Sequence, residues 1–357
     1  MRYKVIVVLL FVFLFSGHVF SQAVSTPNRS VTKLSDKLYV IRHKDAPDGY
    51  PQGNTTVIIG DKKVIVVDAC YLPSSAREDI EFIKKLTRKP VDYLINTHWH
   101  ADHQQGNPEY LKAFPDIKII ARKETAEEIM AFENKDLARY RQNLDSLKIK
   151  VKNGKNGDGK PLAVADLANM KELAAGQDSV ENELLNYTPV YPNIIISGGI
   201  DLDIGDQVVK LMCMAPVHTL GDLMLFLPDQ KILITGDVLV YPIPYFFGGA
   251  YPYSGVKVLE TIDQMDVKTF VPGHGEVLNN KIYLEQEIDL IKNVISLVEA
   301  EVYKEGLLGI KLENVQRAID LGTYKKQFSN GIKENEVFFD ESISKGLVEG
   351  CFNGMAK

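Results

Sequence analysis

The chain has 357 residues, of which 45% are hydrophobic and 25% are charged, and such an ordinary globular composition can bury a sizeable core. The length fits one large domain or two domains of average size. The net charge is -6 at pH 7 and no run of Lys or Arg stands out, which argues against binding of nucleic acid by a basic face.

The N-terminus has the organisation of a secretory signal peptide. A basic segment, residues 1–4, precedes an uninterrupted apolar run, residues 5–15, and small or tolerated residues follow it. We expect cleavage after Ser21 and a periplasmic or secreted protein. The apolar run is short for a membrane span, so an uncleaved anchor is the weaker alternative and no stable span is expected after cleavage.

Short strands open the mature chain. Three apolar runs predict the first of them: residues 38–42, 54–60 and 63–68. Asp61-Lys62 separates the last two and predicts a hairpin. His43 follows the first strand and is expected to lie on the surface. Residues 74–86 have apolar positions at helical spacing, and Ser74 or Ser75 would cap this helix.

The next strand, residues 91–96, leads into Thr97-His98-Trp99-His100-Ala101-Asp102-His103, where four groups that can bind a metal lie within six residues. Because side chains two apart share a face of a strand, His98 and His100 are expected to point the same way. Two imidazoles and a carboxylate suit a divalent first-row metal such as zinc. The alternative is a polar turn at a helix N-terminus, with Asp102 as its cap.

Helices and strands alternate along the rest of the chain. Predicted helices are residues 107–113, 125–147, 164–185, 256–265 and 281–304, and predicted strands are residues 117–121, 194–197, 201–204, 208–214, 224–227, 231–235 and 269–271. Residues 126–187 therefore form a helical insertion between two strand-rich halves. Residues 291–357 are expected to be a helical C-terminal extension, with a short strand at residues 337–339 as the alternative. Strands followed by helices, twice over, suggest two packed sheets with helices outside.

Three later polar residues repeat the pattern of a polar group just past an apolar strand. They are His218, Asp237 and His274, and small residues flank each of them. Glycine lets the backbone turn sharply, so side chains from separate strands can converge. By contrast, Cys70, Cys213 and Cys351 are too scattered to predict a disulfide framework, and no role is assigned to them.

This set of residues resembles the motif set of the metallo-β-lactamase superfamily. The resemblance rests on His98-Trp99-His100-Ala101-Asp102-His103 followed by His218, Asp237 and His274, while Asp68 matches the first motif of the family. It implies an α/β fold, an αβ/βα four-layer sandwich with the site at one edge between the sheets. The family-like domain would span residues 22–290 and include the helical insertion.

The resemblance also implies a centre of two divalent metal ions, with zinc favoured and iron or manganese as alternatives. His98, His100 and His218 would hold the first ion; Asp102, His103 and His274 would hold the second; and Asp237 would bridge the two. Asp102 would also orient the attacking water as the catalytic residue. Asp68 would orient a ligand rather than bind a metal.

The resulting functional prediction is an exported metal-dependent hydrolase in which a dinuclear zinc centre activates water against a small-molecule ester, lactam, lactone or thioester. Asp237 resembles the bridging carboxylate of the glyoxalase-like and lactonase-like members. Val240 stands where one lactamase group has a substrate-binding Lys, which weakens the alternative of β-lactamase activity proper. A redox enzyme of the iron sulfur-dioxygenase type is the alternative from another class. The oligomeric state is not predicted.

Two segments are candidates to shape the substrate pocket. The aromatic, proline-containing loop of residues 241–249 follows Asp237 directly and would either wall the site or pack as an ordinary loop. The insertion, residues 126–187, would be a lid, a dimer surface or a structural addition without a functional role.

Overall fold

The computed structural model describes residues 28–155, 160–305 and 310–355, and the predicted signal peptide, residues 1–21, lies outside these ranges. Two sheets form the centre of the described chain. In the seven-stranded sheet the strands lie in sequence order: β1 (Arg29–Ser35), β2 (Leu38–His43), β3 (Thr55–Ile59), β4 (Val64–Val67), β5 (Tyr93–Ile95), β6 (Lys118–Arg122) and β7 (Ile194–Ile196). Strands β1 to β4 pair antiparallel, as the predicted hairpin requires, and β4 to β7 pair parallel.

The second sheet has five strands: β8 (Ile200–Asp203), β9 (Val208–Cys213), β10 (Leu223–Leu227), β11 (Ile232–Val240) and β12 (Thr269–His274). Their spatial order is β12-β11-β10-β9-β8. The pairs from β8 to β11 are antiparallel, whereas β11 and β12 are parallel. Parallel pairing requires a crossover, and the helix between these two strands supplies it.

Helices occupy the connections and the C-terminal part of the chain. They are α1 (Pro73–Leu86), α2 (Ala101–Gln104), α3 (Asn107–Ala113), α4 (Lys123–Asn153), α5 (Val164–Leu184), α6 (Pro252–Gln264), α7 (Ile282–Glu305), α8 (Leu312–Ala318), α9 (Gly322–Ser329), α10 (Lys333–Phe339), a π-helical segment (Asp340–Leu347) and α11 (Val348–Met355). None of the helices within the described ranges has both the length and the apolar composition that a membrane crossing requires.

The buried residues fall into layers that follow from the two-residue period of the strands. In β4, Ile65 and Val67 face the second sheet, whereas Val64 and Val66 face α1 and α3. The second sheet repeats this arrangement, because Ile234 of β11 lies between the sheets and Leu233 packs against the helices on the outer face. The order of layers is therefore helix, sheet, sheet, helix. This confirms the predicted αβ/βα sandwich.

The C-terminal helices pack on the same outer layer as α6. Leu290 and Val294 of α7 share one buried cluster with Leu259 of α6 and with Phe339 and Cys351 near the C-terminus. Helix α7 is continuous across residue 290. The domain boundary at that position stays a prediction.

Several local predictions were wrong. Strand β11 does not end at Thr235 but continues to Val240, with irregular pairing to β12 around Gly236, which has a φ of +52°. The strand alternative for residues 337–339 is excluded because these residues lie in α10. The N-cap position of helix α1 is occupied by Leu72, whose side chain makes no capping hydrogen bond, so neither Ser74 nor Ser75 has the predicted role.

His43 is the clearest correction, because it is buried rather than on the surface. Its two ring nitrogens lie 2.9 Å from the carbonyl oxygen of Gly53 and 2.8 Å from a carboxylate oxygen of Asp79. Two hydrogen bonds satisfy the polar atoms of the ring, so the side chain can be buried. This burial could not be predicted from the sequence, since Asp79 lies 36 residues away from His43.

Candidate metal centre

All seven predicted metal ligands converge at one edge of the sandwich. The first sheet supplies His98 and His100 from the loop after β5 and Asp102 and His103 from the short helix α2; the second sheet supplies His218 from the loop between β9 and β10, Asp237 from β11 and His274 from the end of β12. Strand β5 ends at Ile95, so His98 and His100 lie on a loop instead of a strand end. They nevertheless belong to the same donor group.

The first donor group contains His98, His100, His218 and Asp237, and one candidate ligand atom of each lies within 4.8 Å of the others. Nδ1 of His100 lies 3.0 Å from Nε2 of His98 and 3.0 Å from Nε2 of His218. A carboxylate oxygen of Asp237, Oδ2, lies 3.7 Å from each of those Nε2 atoms.

The second donor group contains Asp102, His103 and His274. Nε2 of His274 lies 3.1 Å from Nε2 of His103 and 3.0 Å from Oδ2 of Asp102. Asp237 also reaches this group, since its Oδ1 lies 3.3 Å from Nε2 of His103 and its Oδ2 lies 3.6 Å from Nε2 of His274. Asp237 is therefore positioned between the two groups, as a bridging ligand must be.

The convergence of these atoms fits the binding of divalent cations, because ring nitrogens of His98, His100 and His218 and a carboxylate oxygen of Asp237 all face one another, as the ligands of one ion do. The nitrogen–nitrogen distances of 3.0 Å are somewhat shorter than the roughly 3.3 Å between the ligands of a tetrahedral zinc ion. In addition, Oδ1 of Asp237 is buried and accepts no well-aligned hydrogen bond from the described residues. A buried carboxylate oxygen normally has such a partner. The residues therefore fit a metal centre.

The pKa shifts suit metal binding in the first donor group. Burial opposes ionisation of Asp237, but the charges of His103, His274 and His98 outweigh it and hold the pKa of this carboxyl well below its usual range. Burial, followed by repulsion from His100, lowers the pKa of His218 to about 3. Burial, followed by repulsion from His103, likewise lowers the pKa of His98. Ionised carboxylates and neutral imidazoles are the forms that bind metals. In the second group, by contrast, burial is outweighed by Asp237 and Asp102, which raise the pKa values of His103 and His274, so a bound cation would displace protons from these two rings.

Asp68 contacts His103 from the side opposite the donor group. Its Oδ2 lies 2.8 Å from Nδ1 of His103 and accepts a 2.7 Å hydrogen bond from the hydroxyl of Thr97, while Oδ1 accepts one of 2.8 Å from the Thr97 backbone N–H. This contact directs Nε2 of His103 towards the rest of its group. Asp68 has an unusual backbone φ of +60°, which a non-glycine residue adopts only where its surroundings hold it.

Asp222 is a residue of the site that the sequence interpretation missed. It is buried and accepts hydrogen bonds from the backbone N–H groups of Val217 (3.0 Å), His218 (2.8 Å) and Thr219 (3.0 Å). Burial raises the pKa of Asp222 to about 6 despite these bonds. The carboxylate therefore fixes the loop that presents His218. The only sequence signal is an Asp four residues after a candidate ligand.

Glycine allows the second-sheet ligands to approach each other. A Cβ atom on Gly273 would lie 1.9 Å from Oδ1 of Asp237, so only glycine fits beside this carboxylate. Likewise, a Cβ atom on Gly221 would lie 2.2 Å from the hydroxyl oxygen of Thr125, which itself donates a 2.8 Å hydrogen bond to the Gly221 carbonyl. Through this contact the start of α4 packs against the His218 loop.

The loop of residues 241–249 mainly packs into the core. Tyr245 and Phe247 are buried, and the Tyr245 ring lies edge-on to His218 with 5.3 Å between ring centroids. Phe246 is 50% exposed, in contrast to Tyr245 and Phe247 of the same loop. Ordinary loop packing therefore accounts for most of this segment, while Tyr245 supports a candidate ligand from behind.

Comparison with known proteins identifies the same superfamily that the sequence motifs resemble. The family model described as the metallo-beta-lactamase superfamily matches residues 48–274, which contain all seven candidate ligands. The chain is 32% identical over 112 residues to the acyl-coenzyme A thioesterase MBLAC2 of Homo sapiens, an alignment that covers 30% of this chain and 38% of the relative. It is 19% identical over 277 residues to a linear primary-alkylsulfatase of Pseudomonas sp., covering 76% of this chain and 50% of the relative.

The fold has a counterpart among solved structures. The stereoselective inverting sec-alkylsulfatase Pisa1 of Pseudomonas sp. superimposes with a TM-score of 0.60 at 15% identity, over 90% of this chain and 49% of that chain. At this identity the likeness concerns the fold alone. The chain spans half or less of the length of the curated relatives named above.

Proposed function

The chain belongs to the metallo-beta-lactamase superfamily, and from this premise we propose that it is a metal-dependent hydrolase of a small-molecule thioester or related ester. One observation carries the proposal. Seven histidine and aspartate side chains, drawn from both sheets, form two adjoining donor groups with Asp237 between them. A hydrolytic two-metal centre requires this arrangement, whereas a structural metal site needs only one closed group of four ligands.

In the proposed arrangement His98, His100 and His218 hold one ion, and Asp102, His103 and His274 hold the other, with Asp237 shared. When bound, two divalent ions polarise the scissile group and lower the pKa of water towards neutrality. Zinc is the favoured ion because imidazole and carboxylate are its usual ligands, and iron and manganese accept the same donors.

The residues of the chain then have distinct tasks. Asp102 brings a buried carboxylate into the second group and can orient the attacking water by accepting a hydrogen bond from it. Asp68 and Asp222 bind no ion in this arrangement, and they hold His103 and His218 in place from behind. Phe246 is an exposed apolar side chain on the loop that follows Asp237, and we propose that it contacts an apolar part of the ester.

A thioester is the leading substrate class because a thioesterase is among the relatives with more than 30% identity, although only over part of the chain. An alkyl sulfate is the second candidate, since the alkylsulfatase alignment extends over 76% of the chain. β-Lactam hydrolysis is a weaker proposal, because Asp237 resembles the bridging carboxylate of the glyoxalase-like and lactonase-like members and Val240 stands where one lactamase group has a substrate-binding Lys.

The test measures metal content and hydrolysis together. The full chain is assayed by elemental analysis and against thioester, lactone, alkyl sulfate and β-lactam substrates, alongside the variants His100→Ala and Asp237→Ala. We expect each variant to lose metal and to hydrolyse the preferred substrate at least about 100-fold more slowly, since each removes a group that acts on the reacting centre. Asp229→Ala, which removes an exposed carboxylate from a turn, is the matched control.

Full activity and full metal content in either ligand variant would contradict the proposal. Iron with uptake of oxygen, in place of hydrolysis, would instead support the redox enzyme. The substrate panel separates the thioester from the alkyl sulfate, because the two classes release a thiol and a sulfate ion respectively.

Export is also a proposal. It is supported by the basic segment and apolar run of residues 1–15, and it predicts a mature protein that begins at Gln22. N-terminal sequencing of the protein purified from its native cell fraction checks this. A protein that retains Met1 in the cytoplasm would contradict it.

A further inference from the structure

Gly53 and Asn54, which directly precede β3, contact the second donor group and the residues beside it. The backbone N–H of Gly53 donates a 3.1 Å hydrogen bond to the carbonyl oxygen of Asp102, and a Cβ atom on Gly53 would lie 2.6 Å from Cε1 of His103. Gly53 therefore packs directly against both residues that α2 contributes to the group.

Asn54 reaches the third member from the other side. Its backbone N–H donates to the Gly273 carbonyl (2.7 Å), and its side-chain amide donates to the carbonyl oxygens of Pro272 (2.9 Å) and Gly275 (3.0 Å). These three bonds hold the backbone on both sides of His274. The dipeptide Gly53-Asn54 thus connects ligands of the first sheet with a ligand of the second.

A buried chain of charged groups holds this dipeptide. The Gly53 carbonyl lies 2.9 Å from Nδ1 of His43, whose Nε2 lies 2.8 Å from Oδ2 of Asp79. Arg29 donates from Nη1 to the other oxygen of Asp79, at 2.9 Å. Asp79 is 0% exposed, and His43 and Arg29 are also buried. A carbonyl and a carboxylate oxygen both accept hydrogen bonds, so both nitrogens of His43 must carry a proton and the ring is an imidazolium.

His43, Asp79 and Cys70 also present atoms close enough to share a metal ion, which is the alternative explanation of this cluster. The contacts argue against it. Arg29 already occupies one oxygen of Asp79, both ring nitrogens of His43 are engaged, and burial raises the pKa of the Cys70 thiol, so this sulfur is not a thiolate. We call the chain Arg29–Asp79–His43 the brace. Its ion pairs and hydrogen bonds engage these groups, and a bound cation would have to displace them.

We propose that the buried chain Arg29–Asp79–His43 is a positioning device for the second donor group, acting through Gly53-Asn54 on the spacing of Asp102, His103 and His274. The inference rests on the proposed function in one respect, that this group binds a metal ion. Within the described ranges, the brace reaches Asp102, His103 and the flanks of His274 through this dipeptide, whereas the His218 loop is held separately by Asp222. Loss of the brace should therefore weaken one ion and spare the other.

The experiment measures the affinity of each ion separately in the full chain. His43→Gln, which can still donate to the Gly53 carbonyl but carries no charge, is placed in two backgrounds. His100→Ala removes a ligand of the first ion, and His103→Ala removes a ligand of the second. Each protein is stripped with a chelator and titrated with zinc in competition with a chromophoric chelator.

We expect His43→Gln to weaken zinc binding about 10–100-fold in the His100→Ala background, where the second group remains, because partners behind a ligand have effects of this size. In the His103→Ala background the affinity should be unchanged. Asp222→Asn is the matched control, since it loosens the carboxylate behind His218 and should give the opposite pattern.

If His43→Gln does not fold, the variants Asp79→Asn and Gly53→Ala provide the same test. The first keeps the shape of the brace without its charge, and the second pushes directly on His103. Both should weaken the second ion selectively. Equal weakening of both ions, or no weakening, would overturn the positioning role. A parent protein that binds no metal would instead refute the proposed function.

Discussion

At the scale of single residues, buried aspartates that bind no ion in the proposed arrangement hold the histidines in place. Asp68 contacts His103, and Asp222 holds the backbone of His218. Asp79 does the same for His43, one step further from the site. Each carboxylate meets several donors, so its burial is compensated by hydrogen bonds. The sequence indicated Asp68 through its position after a strand, but it gave no role to Asp79, whose partners are distant in the chain.

The charge of His43 leads to a prediction about stability and pH. Burial opposes the charge, but attraction to Asp79, the hydrogen bond to Asp79 and the hydrogen bond to the Gly53 carbonyl outweigh burial and the repulsion of Arg29, so the pKa of His43 is raised above its ordinary value of 6.5. A group with a raised pKa stabilises the fold fully below its unfolded pKa. This stabilisation should therefore be complete below about pH 6.5 and decrease as the pH rises through the pKa of the folded protein.

The measurement is the free energy of unfolding in urea, as a function of pH, for the parent protein and His43→Gln. The difference between the two should be largest at and below pH 6 and become smaller towards alkaline pH. Both proteins are first stripped of metal, which separates the effect of His43 from that of metal binding. A difference that stays constant, or that grows with pH, would show that His43 is neutral in the folded protein.

At the scale of secondary structure, α1 obtains its N-terminal partner from a distant helix. The backbone N–H of Ser74 and its hydroxyl both donate to the carboxylate of Glu183 in α5, the hydroxyl at 3.0 Å. An anion at a helix N-terminus satisfies unpaired N–H groups and interacts favourably with the helix dipole. Val180 and Leu184 of α5 bury their side chains in the same contact, against Leu72. Helix α5, which belongs to the insertion, therefore packs against α1 on the outer face of the first sheet.

This arrangement predicts that Glu183→Ala will lower the free energy of unfolding by about 1 kcal/mol, as loss of a helix cap usually does. It should also make α5 more sensitive to limited proteolysis, because only the apolar part of the contact would then hold this helix against α1. Glu172→Ala on the same helix is the control, since Glu172 is exposed and its loss should change stability by less than about 0.5 kcal/mol. Equal effects of the two substitutions would contradict the capping role.

Most elements were predictable because their apolar residues repeat with the period of a strand or a helix. Ile65 and Val67 alternate with Val64 and Val66, and this local pattern fixed both the strand and its two buried faces. The errors arose where distant residues decide the structure. The capping partner of α1 lies 109 residues beyond Ser74, and the continuation of β11 past Gly236 depends on its pairing with β12. Neither interaction leaves a periodic signal in the sequence.

At the scale of the whole molecule, the candidate centre lies where the two sheets meet. The first sheet contributes His98, His100, Asp102 and His103, and the second contributes His218, Asp237 and His274. The members of the site were predictable because its residue types recur after successive strands and resemble a known motif set. Their spacing was not, since it depends on glycines such as Gly273 and on the dipeptide Gly53-Asn54, which join the sheets through backbone contacts.

A centre that joins two sheets should couple metal binding to global stability. A ligand that binds only the folded chain stabilises it by about 2.7 kcal/mol per site when its free concentration is 100 times its dissociation constant. In the proposed arrangement, removal of metal also takes cations away from the buried carboxylates of Asp102 and Asp237. We therefore expect the Tm of the full chain to fall on treatment with a chelator and to rise again with the logarithm of the free zinc concentration.

Differential scanning calorimetry at fixed concentrations of free zinc provides the measurement, with Asp237→Ala as the reference. This variant lacks the shared carboxylate, so the chelator should change its Tm much less than that of the parent protein. A chelator effect of equal size in both proteins would arise elsewhere in the molecule. Elemental analysis shows whether the parent protein has lost its metal. If its Tm is then unchanged, the two sheets hold together without bound metal. The ligands would in that case be ordered only by contacts such as those of Asp68, Asp222 and Asn54.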